Sequence, residues 1–316
     1  MLSIFLVTFP FFALIACGYL SVRRGFLPQA AIPGLNAFVL YFALPCMLYR
    51  LGARTPVAQL LDLQVAGVYA LGAVIMLALT LVLLRARLGW NNAAFAALVA
   101  AFPNTGFMGV PMLAALLGEH SAGVVIVSMA VDMVFTSSLC IALSRLEAAG
   151  GHGAMVALRQ ALKSMAANPM PWAIVLGGLA SVGGWSLPGP MEETVAMLAA
   201  AASPVALFSI GAVLARSQME SAERLPVRDY LPVVGFKLLL HPLLLWCLAR
   251  LAQALGVELE PQTVLVLVLL AALPSASNVV LLTERFGAHS GLIARIILVS
   301  TVLAFVSFPV IVANSV

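Results

Sequence analysis

Two short stretches carry the residues best suited to hold a ligand. FPNTGFMGVP begins at Phe102 and LPSASNVV begins at Leu273. In the first, Asn104, Thr105 and Gly106 follow Pro103, with Gly109 and Pro111 just beyond; in the second, Ser275, Ser277 and Asn278 follow Pro274. Both lie inside apolar runs long enough to cross a bilayer. Proline lacks the backbone donor and clashes with the preceding turn, so Pro103, Pro111 and Pro274 are expected to break their helices. Within a bilayer the polar groups of a broken helix are tolerated only where protein or a water-lined cavity meets them. The half-helix that resumes after each break begins with N–H groups that have no partner inside the helix and carry partial positive charge. Asn, Thr and Ser side chains beside such ends can cap them or bind a ligand. Two of these ends facing one cavity favour an anion, above all a carboxylate.

Ionisable residues inside apolar runs form the second group of candidates. Asp132 lies midway along one run. A carboxylate at that depth is costly unless paired, hydrated or protonated, so Asp132 reads either as a proton carrier or cation partner, or as a protonated acid bonded to a neighbouring helix. Lys237 and His241 are four residues apart and share a helix face. Lys237 is either an anchor whose ammonium snorkels to the interface or a cation in the substrate cavity. His241 is either part of a proton relay or a packing residue. Arg295, at the start of the last run, is expected to snorkel; Asn36 and the glycines 177, 178, 183 and 184 are expected to serve helix packing. Glu119 with His120, and Glu284 with Arg285, are expected to be solvated loop charges. No HExxH, GxSxG or paired-Asp motif stands in the runs, and the four cysteines are scattered without a CxxC pair. No catalytic residue, metal site or cofactor is therefore expected.

The elements that must position these residues are membrane spans. Of 316 residues 63% are hydrophobic and 9% charged, with a mean hydropathy of +1.11. A soluble domain is nearer half apolar and a quarter charged, so the reading is an all-α polytopic membrane protein. The net charge of +4 comes from basic residues at span ends and gives no sign of a nucleic-acid partner. Ten apolar segments are long enough to span, near residues 2–22, 32–51, 64–84, 93–117, 123–144, 165–182, 195–214, 231–251, 263–282 and 292–312. The odd-numbered loops hold eleven Lys and Arg, Arg216 among them, against three in the even-numbered loops. The positive-inside rule makes the odd loops cytoplasmic and puts both termini outside. An apolar start without a basic region or cleavage site reads as the first span, and the chain is expected in a bacterial cytoplasmic (inner) membrane.

An internal repeat organises the spans. GYLSVRRGFLP from Gly18 and GLASVGGWSLP from Gly178 match at five of eleven positions. FALPCMLYRLG, ending at Gly52, parallels ASPVALFSIG, ending at Gly211, which pairs Pro45 with Pro204. Asp62 and Gly89 pair with Asp229 and Gly256, and GEHS from Gly118 pairs with GAHS from Gly287. Residues 1–145 and 165–316 thus read as two copies of a five-span unit, joined by a cytoplasmic linker at 146–164. An odd number of spans forces the copies into opposite orientations, an architecture of secondary transporters. The two breaks, in spans 4 and 9, then become antiparallel and can cross near the membrane centre.

NTGFMGVPML in span 4, PSASNVVLLTERFG in span 9, ALPCMLYRL in span 2, SPVALFSIGAVLA in span 7 and KLLLHPLL in span 8 together resemble the auxin efflux carrier family. That family includes the plant PIN-type carriers and bacterial transporters assigned to malonate or malate. The resemblance implies a crossover fold, with spans 1, 2, 6 and 7 as a scaffold and spans 3–5 and 8–10 as a moving transport unit. It also implies a homodimer through spans 2 and 7, and substrate carboxylate binding at Asn104 and Asn278. The expected function is secondary transport of a mono- or dicarboxylate by alternating access. A passive channel and a ligand-binding membrane receptor are the alternatives.

Overall fold

A computed structural model of the chain describes residues 2–118, 121–144, 159, 169–220 and 225–315. Glu119, His120, Arg145, Lys163, Arg224, the rest of the 146–164 linker apart from Arg159, and the side chains of Glu284 and Arg285 lie outside the described residues. In chain order the helices, leaving aside the single turn Val57–Leu60, are α1 (Leu2–Arg23), α2 (Gln29–Arg54), α3 (Leu63–Leu88), α4 (Trp90–Ala101), α5 (Thr105–Leu117), α6 (Ala122–Ser144), α7 (Pro169–Gly183), α8 (Gly189–Glu220), α9 (Val227–Ala254), α10 (Pro261–Ala272), α11 (Val279–Phe286) and α12 (Ser290–Ser315). Seven of them, α1, α2, α3, α6, α8, α9 and α12, contain stretches long and apolar enough to cross a membrane. The shorter α5, α7 and α10 are apolar as well. Among the described residues no strand forms.

Local chemistry sets the helix ends. The Asp62 carboxylate accepts from the N–H groups of Gln64 and Val65 at 2.9 and 3.0 Å and caps α3. Asp229, its partner in the repeat register, sits in the first turn of α9 and pairs with Arg87 at 2.6 Å. Gly89, at φ 75°, turns the chain from α3 into α4, a conformation that an L side chain resists.

The helices pack in two groups. α1 lies on α8, α7 on α2, and α2 on α8. Glycines permit these close crossings. A Cβ on Gly18 would stand 1.9 Å from the Phe208 carbonyl oxygen, and one on Gly211 1.9 Å from that of Ile15. A Cβ on Gly177 would stand 2.4 Å from the Tyr49 oxygen, opposite Gly52. Small residues that bring backbones together are the usual device of helix association in lipid. In the second group α3, α6, α9 and α12 surround the half-helices α4 and α10. Every residue from 93 to 101 in α4 and from 266 to 272 in α10 is buried, as expected of helices apolar on all faces.

The structure moves some boundaries. The helix expected at 195–214 runs from Gly189 to Glu220, 32 residues or roughly 48 Å at 1.5 Å per residue. That exceeds a hydrocarbon core of roughly 30 Å. Arg216, read from sequence as a loop residue, is therefore helical. Pro111 does not break its helix: it follows directly on the wide turn Thr105–Gly109, and the helix continues through it to Leu117. The interruption falls at residues 102–104, and the turn from Thr105 to Gly109 widens to i→i+5 hydrogen bonding.

Candidate functional site

The two interruptions meet. The Asn104 N–H donates to the Pro274 carbonyl at 2.8 Å, and the Ala276 N–H donates to the Phe102 carbonyl at 3.0 Å. These reciprocal bonds make an isolated antiparallel bridge between Pro103 and Ser275. Each break thus supplies the backbone partners that the other lost, which satisfies the demand of a low-dielectric interior. Ser275 secures the bridge. Its hydroxyl donates to the Val99 carbonyl at 2.7 Å, and its N–H donates to Ser300 Oγ at 3.3 Å. On the other side the Asn104 carbonyl accepts from Met108 and Gly109, both at 3.0 Å. Gly109 is needed there, because a Cβ would press on Leu273 at 3.0 Å and Leu270 at 3.2 Å.

The sequence-derived ligand residues divide into two sets. Asn104, Thr105 and Ser275 are buried at the bridge. Asn104 Nδ2 and Thr105 Oγ1 have no hydrogen-bond partner among the described residues. Gly106 is half-buried beside them, 3.7 Å from Met129 Sδ when given a Cβ. Ser277 and Asn278, at the start of α11, instead line a cavity of about 30 Å³, together with Phe107. Its opposite wall comes from α2 and α8 and includes Asn36, Ser209 and Arg216. The Ser209 hydroxyl donates to Asn36 Oδ1 at 2.5 Å. Asn36, read from sequence as a packing residue, does bridge helices, and it also faces the cavity. Arg216 was hidden by its place at a span end. Its signal was register: Ser209, Val213 and Arg216 recur at helical spacing and all three line this wall.

A larger cavity, of about 440 Å³, lies between other parts of the same two helices and the start of α6. Met47, Arg50, Leu51 and Arg54 line it from α2, and Ala199 lines it from α8. In the register that pairs Pro45 with Pro204, those α2 positions align with Ala206, Ser209, Ile210 and Val213, and Ala199 aligns with Leu40. All five of these partners line the smaller cavity. Arg50 is paired with Glu192 at 3.3 Å.

The ionisable residues gather elsewhere, behind the crossing. Asp132 sits in a wide turn of α6, Val131–Thr136, and Lys237 in a wide turn of α9, Phe236–Leu240. Such turns often mark functional positions. Asp132, Lys237, His241 and Tyr69 are at most 1% exposed. The Tyr69 hydroxyl donates to Asp132 Oδ2 at 2.7 Å, while Oδ1 has no hydrogen-bond partner among the described residues. Lys237 Nζ donates to the Ala271 carbonyl at 2.8 Å and lies 2.9 Å from His241 Nδ1. Ala271 belongs to the last turn of α10, whose carbonyls lack intrahelical donors. Lys237 therefore caps the half-helix that leads into the break. Full burial rules out the snorkelling role, and neither cavity described above is lined by Lys237. Tyr69 was not singled out in the sequence, although a hydroxyl in the apolar α3 was the available signal.

The family described as Membrane transport protein matches residues 3–312. A "Putative malonate transporter" from Rhizobium meliloti (strain 1021) is 33% identical over 93% of this chain and 90% of its own. An "Uncharacterized transporter YfdV" from Escherichia coli (strain K12) is 26% identical over 89% and 88% of the two chains. An "Uncharacterized transporter" from Methanothermobacter thermautotrophicus is 27% identical over 94% and 93%. With match and helices together, the chain belongs to the membrane transport protein family, that of the auxin efflux carriers, and is a multi-pass membrane transporter and not an enzyme.

Proposed function

We propose that this transporter is a secondary carrier of a small organic anion, a mono- or dicarboxylate, that works by alternating access at the helix crossing. The observation that carries the proposal is the pair of cavities. The narrower is lined from the crossing by Phe107, Ser277 and Asn278, and both are lined from α2 and α8 by positions that the internal repeat equates. In an inverted repeat, equivalent positions face opposite sides of the membrane, so exchange of the two packings opens one side as it closes the other. The wider cavity, at about 440 Å³, has room for a small organic acid; the narrower, at about 30 Å³, has room for roughly two waters. On this reading the ten spans form two inverted five-span units. The group α1, α2, α7 and α8 is the scaffold, and the group α3–α6 with α9–α12 moves against it. The protein sits in the bacterial inner membrane with both termini outside and pairs as a homodimer through α2 and α8.

The anion preference rests on the half-helix starts at Thr105 and Val279 and on the amides of Asn104 and Asn278. The name of the Rhizobium relative makes malonate the first acid to test. Asp132, fully buried with one oxygen unbonded, is the group assigned to proton coupling.

Cysteine accessibility tests the alternation. In a background without Cys17, Cys46, Cys140 and Cys247, single Met47→Cys and Ala206→Cys variants are labelled from opposite sides with a membrane-impermeant maleimide. A carrier gives labelling at the two positions that responds reciprocally to a transported acid. A channel gives simultaneous labelling of both, and a receptor that moves nothing gives no shift.

A further inference from the structure

We propose that a third cavity, between the end of α9, the start of α10 and the end of α12, binds a phospholipid whose headgroup carries both a phosphate and a primary ammonium. The inference does not depend on which acid the carrier moves.

The cavity measures about 320 Å³, within the roughly 300–1,000 Å³ usual for small-molecule sites. Two exposed stripes lead to it. On α9, Leu239, Leu243, Trp246 and Arg250 recur at steps of four, three and four. On α12, Leu303, Val306, Val310 and Asn314 recur at steps of three, four and four. Each set lies on one face of its helix. Both stripes turn from apolar to polar at the same end, because Trp246, Arg250 and Asn314 all line the cavity. From α10, Val264, Leu265 and Val268 add apolar lining. Leucine, then tryptophan, then arginine along α9 follows the order of acyl chain, interface and headgroup across one leaflet. A lipid satisfies the whole gradient; a soluble anion gains nothing from the stripes.

The charges at the rim select the headgroup. One N–H group of Arg250 donates to Gln253 Oε1 at 3.3 Å, and its guanidinium lies 5.9 Å from the centre of the Trp246 ring. A guanidinium has five N–H donors, so these contacts orient the fork and leave donors for phosphate oxygens. Glu260 stands beside the cavity residue Pro261 and is exposed. It occupies the N-cap of α10 without a side-chain bond to that helix, so its carboxylate is not engaged by the first turn. A guanidinium and a carboxylate match a zwitterionic head, whereas a purely anionic head meets Glu260 with like charge.

Native mass spectrometry tests the inference. The purified full-length protein is titrated in detergent with dioleoyl phosphatidylethanolamine, phosphatidylcholine or phosphatidylglycerol. All three offer a phosphate, but the choline head has no N–H donor and the glycerol head has no cation. Wild type should retain the ethanolamine lipid about fivefold better than either of the others, the scale of one exposed charge pair. Glu260→Gln should bring the ethanolamine lipid down to the level of the choline lipid and leave the choline lipid unchanged, which shows that the variant is folded. Arg250→Gln should weaken all three, and Arg250→Lys should restore part of the loss, which separates charge from fold. Glycerophosphoethanolamine at equal concentration should not displace the lipid. Equal retention of the three lipids by wild type, preference for the glycerol lipid, or variants that bind as wild type does would overturn the proposal. Displacement by the soluble ester would assign the site to a free phosphate compound and overturn the lipid reading.

Discussion

Lys237 replaces solvent at the end of α10. A half-helix that stops in the middle of a bilayer exposes carbonyls to a region without water, and the ammonium that reaches Ala271 at 2.8 Å supplies the missing donor and a compensating charge. Asp132 and Lys237 lie close enough to interact as charges, and Tyr69 bonds the carboxylate at 2.7 Å. The α9 turn is therefore tied to the crossing through the Ala271 carbonyl, and the α6 turn is tied to α3 through Tyr69. A change of protonation at Asp132 alters the field at Lys237 and so the hold on α10. This link motivates a pH prediction. Wild-type uptake into proteoliposomes should be stimulated by acid on the side of uptake, whereas Asp132→Asn should transport at a rate independent of the imposed gradient. A variant that kept the wild-type pH response would remove Asp132 from the coupling. Asn104, Asn278 and Asp132 were legible in the sequence because each is a polar residue in an apolar run. Tyr69, Asn36 and Arg216 were not. Tyr69 and Asn36 carry ambiguous polarity, and Arg216 resembles an interfacial arginine until the full length of its helix is known.

At the scale of elements, the breaks were readable and the wide turns were not. Pro103 and Pro274 interrupt a helix through local chemistry, which sequence displays directly. The turns at Val131–Thr136 and Phe236–Leu240 arise from how α6 and α9 pack around the half-helices, and nothing in VDMVFT or FKLLL announces them. The close crossings were half readable. The repeat aligned Gly52 with Gly211, and both serve backbone contact, one against α7 and the other against α1. Gly211→Ala puts a methyl group 1.9 Å from the Ile15 oxygen and forces α1 and α8 apart. Overpacking of this kind costs about 1–3 kcal/mol. Thermal unfolding in detergent should show a clear fall in Tm for this variant, while Gly34→Ala, at a position with open space around it, should melt with wild type. Equal melting of the two variants would mean that α1 and α8 do not depend on this crossing.

For the whole molecule, the central claim is that a carboxylate occupies the crossing and is carried past it. Two half-helices bridge at Pro103 and Ser275, two cavities lie on repeat-equivalent walls, and Asp132 and Lys237 are buried behind. The apolar helices and their two interruptions were legible because Pro103 and Pro274 stand in long apolar runs; the unequal opening of the cavities was not, since it depends on how far apart the packed helices stand. The most direct test is counterflow of labelled malonate in proteoliposomes, with wild type beside Asn104→Ala and Asn278→Ala, each checked for wild-type melting. The account predicts saturable counterflow in wild type and a loss of about tenfold or more in half-saturation or rate in each variant, as expected when a hydrogen bond to a charged group is removed. Wild-type counterflow that survives both substitutions unchanged would contradict it.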